Sequence, residues 1–169
     1  TVLSALYMPI ILMVIALIFR GVAFEFRFKA NKTKHLWDQA FIWGSILSSF
    51  LQGVILGAYI QGIETTNGIY TGGGLDWLTP FSLFTGISVV VLYATLGCGW
   101  LIFKTEKMLQ NRMFELMPKL LISLLMIFVC VSIYTPLAHP QIAERWFSQP
   151  QLFYFSPVPV LVLLFTFLA

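Results

Sequence analysis

Uncharged runs of membrane length alternate along this chain with stretches that are either basic or almost free of positive charge. Val2–Phe19 is eighteen residues without a charge. At 1.5 Å rise per residue it covers about 27 Å, most of a hydrocarbon core of roughly 30 Å. Comparable runs follow at Gln39–Gln61, Pro80–Phe103 and Leu116–Leu137, and a last one, Val158–Ala169, is too short to cross. In lipid each backbone N–H and C=O must be satisfied within the segment, so runs of this length predict helices and not strands. The predicted fold is all-α: a polytopic transmembrane helical bundle, one membrane domain over residues 1–169, with four complete spans (2–19, 39–61, 80–103, 116–137) and one partial span (158–169). Pro80, Pro118 and Pro157 fall at or near span starts, where a missing donor costs little, and Pro9 is placed to bend the first helix. A chain that opens on Thr1 and closes inside an apolar run reads as an internal fragment truncated at both ends. The first span lacks the basic leader and small-residue cleavage site of a secretory signal.

Composition agrees: 59% hydrophobic and 10% charged residues, with mean hydropathy +0.87, exceed what a soluble domain of this length can hide. The net charge of +3 does not imply nucleic acid, because the basic residues are concentrated in two short loops. Loop 20–38 holds Arg20, Arg27, Lys29, Lys32 and Lys34, and loop 104–115 holds Lys104, Lys107 and Arg112. Loop 62–79 has no Lys or Arg, and loop 138–156 has Arg145 alone. The asymmetry predicts that 20–38 and 104–115 face the cytoplasm and that 62–79 and 138–156 face the periplasm or exterior. Phe19, Phe24, Phe26 and Phe28, with Trp37, Trp77 and Trp146, sit beside span ends as headgroup-level anchors.

Candidate chemistry is sparse. Ser45, Ser49, Gly53 and Gly57 recur every fourth residue along the second span, a small-residue strip that predicts close helix packing, with a pore lining as the competing reading. Gln52 lies beside the strip and must face protein, since lipid offers its amide no partner. All seven acidic residues (Glu25, Asp38, Glu64, Asp76, Glu106, Glu115, Glu144) fall in loops or at span ends, which argues against a complete proton path within these segments. Glu25 is the exception to watch. RGVAFEFR, Arg20 to Arg27, continues the first helix, so Glu25 is either the mouth of a proton path or an interfacial ion pair with Arg20, Arg27 or Lys29. His35 and His139 lie in loops on opposite sides and cannot share one iron, while Met8, Met13 and Met126 read as packing. Cys98 and Cys130 read as packed thiols. Neither a zinc site nor a protease triad can be assembled. Gly72-Gly73-Gly74 has no following Lys-Ser or Lys-Thr and no preceding strand, so it does not read as a phosphate cradle.

Five stretches together resemble subunit II of cytochrome bd-type quinol oxidases, including the cyanide-insensitive branch. They are RGVAFEFR (20–27), WDQAFIWGS (37–45), GVILGAYIQG (53–62), LTPFSLFTG (78–86) and GCGWLIFKTE (97–106), in the family's order and spacing up to about Lys119. The resemblance implies a middle section of the family subunit. It also implies a heterodimer with a haem-bearing subunit I that carries haems b and d. The complex oxidises quinol and reduces O₂ to water in the respiratory chain of a bacterial cytoplasmic (inner) membrane. Subunit II of the family is haem-free, so no cofactor, metal or catalytic residue is expected on this chain. The family's proposed proton-delivery acids lie in leading spans outside it, and none is carried over. The competing reading is a secondary transporter fragment, motivated by Gln52 and by Gly86, Gly97 and Gly99, which would permit a broken third helix.

Overall fold

The computed structural model describes residues 2–63, 65–66 and 69–138. The expected partial span 158–169, the loop beyond Ala138 with His139, Glu144, Arg145 and Trp146, and Glu64 lie outside the described residues. The described elements are α1 (Val2–Lys29), α2 (Lys34–Gln61), β1 (Thr65–Thr66), β2 (Ile69–Tyr70), α3 (Pro80–Lys104) and α4 (Met108–Ala138). All four helices are long and apolar enough to cross a membrane. The four complete spans inferred from hydropathy are thus observed as helices, and the protein is an integral membrane protein.

The helices outrun the predicted spans at their basic ends. The expected loop 20–38 contracts to residues 30–33, and loop 104–115 to residues 105–107. Hydropathy marks where lipid ends, whereas a helix continues until its backbone is broken. From Phe19 to Lys29 only Gly21 weakens the helix, and from Met108 to Glu115 the residues, Asn111 apart, are good helix formers; Pro118, expected near a span start, therefore falls inside α4, which runs on through it. The α3–α4 turn is closed by Lys107 in the left-handed region, φ 59°. Between α2 and α3, two short strands pair antiparallel, Thr65 with Tyr70 and Thr66 with Ile69.

The chain divides into two compact units, residues 1–97 and residues 98–169. In the first, α1 and α2 pack antiparallel, and the contact is close because Gly44 has no side chain: a Cβ there would stand 2.9 Å from the Ala16 carbonyl oxygen and 3.1 Å from the Arg20 nitrogen. Ala16 and Ala23 are buried on the facing stripe of α1. Toward the other end, Ala5, Leu6, Val54, Ala58 and Trp77 form the buried cluster. α1 runs unbroken through Pro9, which is buried. In lipid, tails are as apolar as leucine, so small residues that let backbones approach supply the association that burial supplies in water.

The start of α3 is fixed by the LTPFS sequence. Thr79 is the N-cap, its Oγ1 accepting the Ser82 N–H at 3.1 Å while Ser82 Oγ accepts the Thr79 N–H at 3.0 Å, with Pro80 at the first helical position. Ser82 is fully buried and donates its hydroxyl to the Trp77 carbonyl at 2.6 Å. Thr79 donates its own hydroxyl to Gln61 Oε1, joining the end of α2 to the start of α3. α2 stops at Gly62, which holds φ +90° and donates its N–H to the Tyr59 carbonyl at 3.2 Å.

In the second unit, the end of α3 meets the start of α4. Gln110 Nε2 donates to the Ile102 carbonyl at 3.0 Å, and the Cys98 thiol lies 3.4 Å from the Met113 carbonyl oxygen. Cys98 is buried, whereas Cys130 is exposed on α4.

Candidate functional site

The first unit carries a cleft of about 490 Å³ between α1, α2 and α3, lined by Met13, Leu17, Arg20, Ser48, Ser49, Gln52 and Tyr93. Arg20 stands at its basic end, with the guanidinium carbon 5.7 Å from the centre of the Phe41 ring, a cation–π arrangement. Ser48 and Ser49 hydroxyls both donate to the Ser45 carbonyl, at 3.0 and 2.9 Å, and Ser45 donates to the Phe41 carbonyl at 2.7 Å. At the inner end Tyr93 donates its hydroxyl to Gln52 Oε1 at 3.0 Å. The lining holds hydroxyls, an amide and a guanidinium and no carboxylate. It can bind and orient, but it offers no acid–base pair.

The predicted site residues divide into separate places. Gly53 and Gly57 are buried against α3: a Cβ on Gly53 would lie 2.6 Å from the Thr85 carbonyl oxygen, and one on Gly57 would lie 2.7 Å from both the Ser82 Cα and the Thr85 Oγ1. Gly86 on α3 is equally tight, 2.7 Å from the Phe50 ring. Ser45 and Ser49, on the same strip, bond to carbonyls of their own helix. α3 continues as one helix through Gly86, Gly97 and Gly99, so the broken third helix raised by the transporter reading is not present.

At the basic end, Arg27 forms an ion pair with Asp38 across the α1–α2 turn. Glu25 is exposed and takes part in no ion pair among the described residues. RGVAFEFR therefore places Arg20 in the cleft and Arg27 on α2, while Glu25 points elsewhere. Phe26 packs on Trp37, with ring centroids 5.0 Å apart, and Phe24 meets Phe28 edge-on at 5.5 Å. Among the described residues no group of three His, Cys, Asp or Glu side chains converges to hold a metal.

The glycine run at the opposite end is explained by Asp76. Its Oδ2 accepts the Gly73 N–H at 2.6 Å and lies 2.9 Å from the Tyr70 hydroxyl, and a Cβ on Gly72 would collide with that carboxylate. Trp77 Nε1 donates to the Gly74 carbonyl at 2.8 Å. The loop thus folds around its own acid and not around an external anion.

Two pairings escaped sequence reasoning. Arg27 with Asp38 and Tyr93 with Gln52 are separated by 11 and 41 positions, and no helical spacing signals either. The glycine contacts were signalled by the four-residue recurrence.

Compared with known proteins, the chain matches the family described as cytochrome bd terminal oxidase subunit II over residues 1–169. The chain belongs to that family. It is 30% identical over 125 residues to cytochrome bd ubiquinol oxidase subunit 2 of Bacillus subtilis, covering 72% of this chain and 37% of that protein. Similarity to the probable cytochrome oxidase subunit 2 of Haemophilus influenzae is 29% over 118 residues, covering 64% of this chain and 31% of that protein. Cytochrome bd-I ubiquinol oxidase subunit 2 of Escherichia coli K12 is 29% identical over 120 residues, again 64% and 31%. The chain thus spans about a third of the length of these subunit II relatives. Within the family, all five stretches that carry the resemblance have a local structural role here: RGVAFEFR and WDQAFIWGS in the α1–α2 contact, GVILGAYIQG and LTPFSLFTG in the α2–α3 contact, and GCGWLIFKTE in the α3–α4 turn.

Proposed function

We propose that this chain is part of the haem-free, non-catalytic subunit of a bd-type terminal oxidase. It packs against a haem-bearing subunit I, the carrier of haems b and d, in a complex that oxidises two quinols and reduces O₂ to two waters. The observation that carries this reading is the family match over the whole chain. The fold supports it: the spans are joined by small-residue contacts and capped turns, and the cleft has no acid–base pair. By the loop-charge rule, the α1–α2 and α3–α4 turns face the cytoplasm of a bacterial inner membrane and the β1–β2 loop faces the opposite side.

The test is purification of the full-length protein in mild detergent, followed by reduced-minus-oxidised spectra and identification of co-purifying chains. The expected result is a haem-bearing partner with quinol oxidase activity, all haem remaining with the partner when the chains are separated. A haem retained by this chain, or a lone polypeptide catalysing solute uptake, overturns the reading.

A further inference from the structure

α1 is 28 residues long, about 42 Å at the helical rise, against a hydrocarbon core of roughly 30 Å. Its last turns therefore stand at headgroup level or beyond, yet they carry Phe24 and Phe28 with 60% and 71% of their surface exposed. Rings so placed fit the bilayer interface, which accepts an apolar body beside polar headgroups. The charge around them is one-sided. Between Arg20 and Asp38 there are five basic residues and two acidic ones. Asp38 is taken by Arg27, and Arg20 is stacked on Phe41. Lys29, Lys32 and Lys34 remain, all exposed and none in an ion pair among the described residues, at the end of α1, in the turn and at the start of α2; the second acid, Glu25, is exposed one turn before Lys29, so three lysines stand against one carboxylate.

We propose that Lys29, Lys32 and Lys34, with the Phe24–Phe28 edge-to-face pair on the last two turns of α1, form a binding site for an anionic phospholipid of the leaflet at this end of the helices. The ammonium groups take the phosphate while the lysine stems and the phenyl rings lie along the upper acyl chain. An acidic protein partner would match the lysines but would leave the protruding rings in water, which favours lipid as the occupant. The proposal is independent of the redox assignment, because it rests on charge and exposure at one helix end.

The test uses the complete full-length complex, delipidated in detergent and titrated with phosphatidylglycerol, phosphatidylcholine or inorganic phosphate, with single-lipid binding read by native mass spectrometry. Phosphatidylglycerol is expected to bind more tightly than phosphatidylcholine. K29Q/K32Q/K34Q weakens the tightest phosphatidylglycerol step by about fivefold per lysine, equivalent to about 1 kcal/mol each. K104Q/K107Q, in the other basic turn, leaves that step unchanged. F24A/F28A weakens both lipids alike. The proposal is overturned if the triple variant binds phosphatidylglycerol as the parent does, if phosphatidylcholine binds equally well, or if millimolar inorganic phosphate displaces the lipid. Should the triple variant fail to assemble, Lys32→Gln in the turn outside both helices reads the same step, and an unchanged affinity there sinks the proposal.

Discussion

Tyr93 on α3 donates its hydroxyl to the side-chain oxygen of Gln52 on α2 at 3.0 Å, a polar link between two otherwise apolar stretches of helix. The amide is thereby given the protein partner that a polar group at this depth requires. Interhelical bonds of this kind in membranes measure about 0.6 kcal/mol on average, because the separated helices also find partners. Tyr93→Phe and Gln52→Leu should each lower the stability of the assembled complex by roughly that amount, and the double variant should cost less than the two together. A double-mutant cycle from denaturation in bicelles reads the coupling; strictly additive effects would mean that the bond contributes nothing.

Gly53 and Gly21 make opposite predictions for the same substitution. A methyl on Gly53 would overlap the Thr85 carbonyl oxygen and the Gly86 Cα, both backbone atoms that cannot swing aside. Gly53→Ala should therefore force α2 and α3 apart and cost about 1–3 kcal/mol. Gly21 meets nothing within 4 Å, so Gly21→Ala should be neutral or stabilise α1 by up to about 1 kcal/mol through lost unfolded-state freedom. Thermal unfolding of the two variants side by side checks this, and a similar loss in both would show that the α2–α3 contact is not tight.

Most of the architecture was legible because lipid imposes strict terms on sequence: an uncharged run long enough to cross must be a helix, and Val2–Phe19 or Pro80–Phe103 could be read no other way. Helix ends were less legible for the reason that α1 illustrates. Hydropathy falls at Arg20, but no residue before Ala30 stops the helix, so the loop was begun ten residues too early. Of the small-residue strip, Gly53 and Gly57 meet α3 closely, whereas Ser45 and Ser49 bond to carbonyls of their own helix, a division that the four-residue period alone does not give. The Arg27–Asp38 pair depends on a turn that brings the end of one helix onto the start of the next, and charge counting gives no account of which acid meets which base.

Thr79→Ala removes two bonds at once. Its Oγ1 accepts the Ser82 N–H and its hydroxyl donates to Gln61 Oε1, so the substitution uncaps α3 and releases the end of α2. Loss of an N-cap alone costs about 0.5–2 kcal/mol. Thr79→Ser keeps both bonds and should retain most of the stability. Hydrogen exchange at the first turn of α3 reads the effect locally: faster exchange in the alanine variant and near-parental exchange in the serine variant is the expected pair. Equal protection in both would mean that the cap is dispensable.

Glu25 separates an assembly role from a proton-path role. Its carboxylate is exposed, joins no ion pair among the described residues, and is carried on a helix whose neighbouring guanidinium, Arg27, is held by Asp38. Glu25 is not among the residues that line the cleft holding Arg20. A residue on an outward surface instead meets whatever covers that surface in the full complex. Under the proposed oxidase assignment, Glu25→Gln should accordingly lower the amount of assembled complex in membranes while turnover per assembled complex stays at the parental value. Asp38→Asn, which frees Arg27 from an ion pair exposed by about half, should cost less than about 1 kcal/mol and leave turnover unchanged. Quantifying the complex by haem spectra and dividing oxygen consumption by that amount distinguishes the cases. Full assembly with slowed turnover in Glu25→Gln would assign the residue to proton delivery instead.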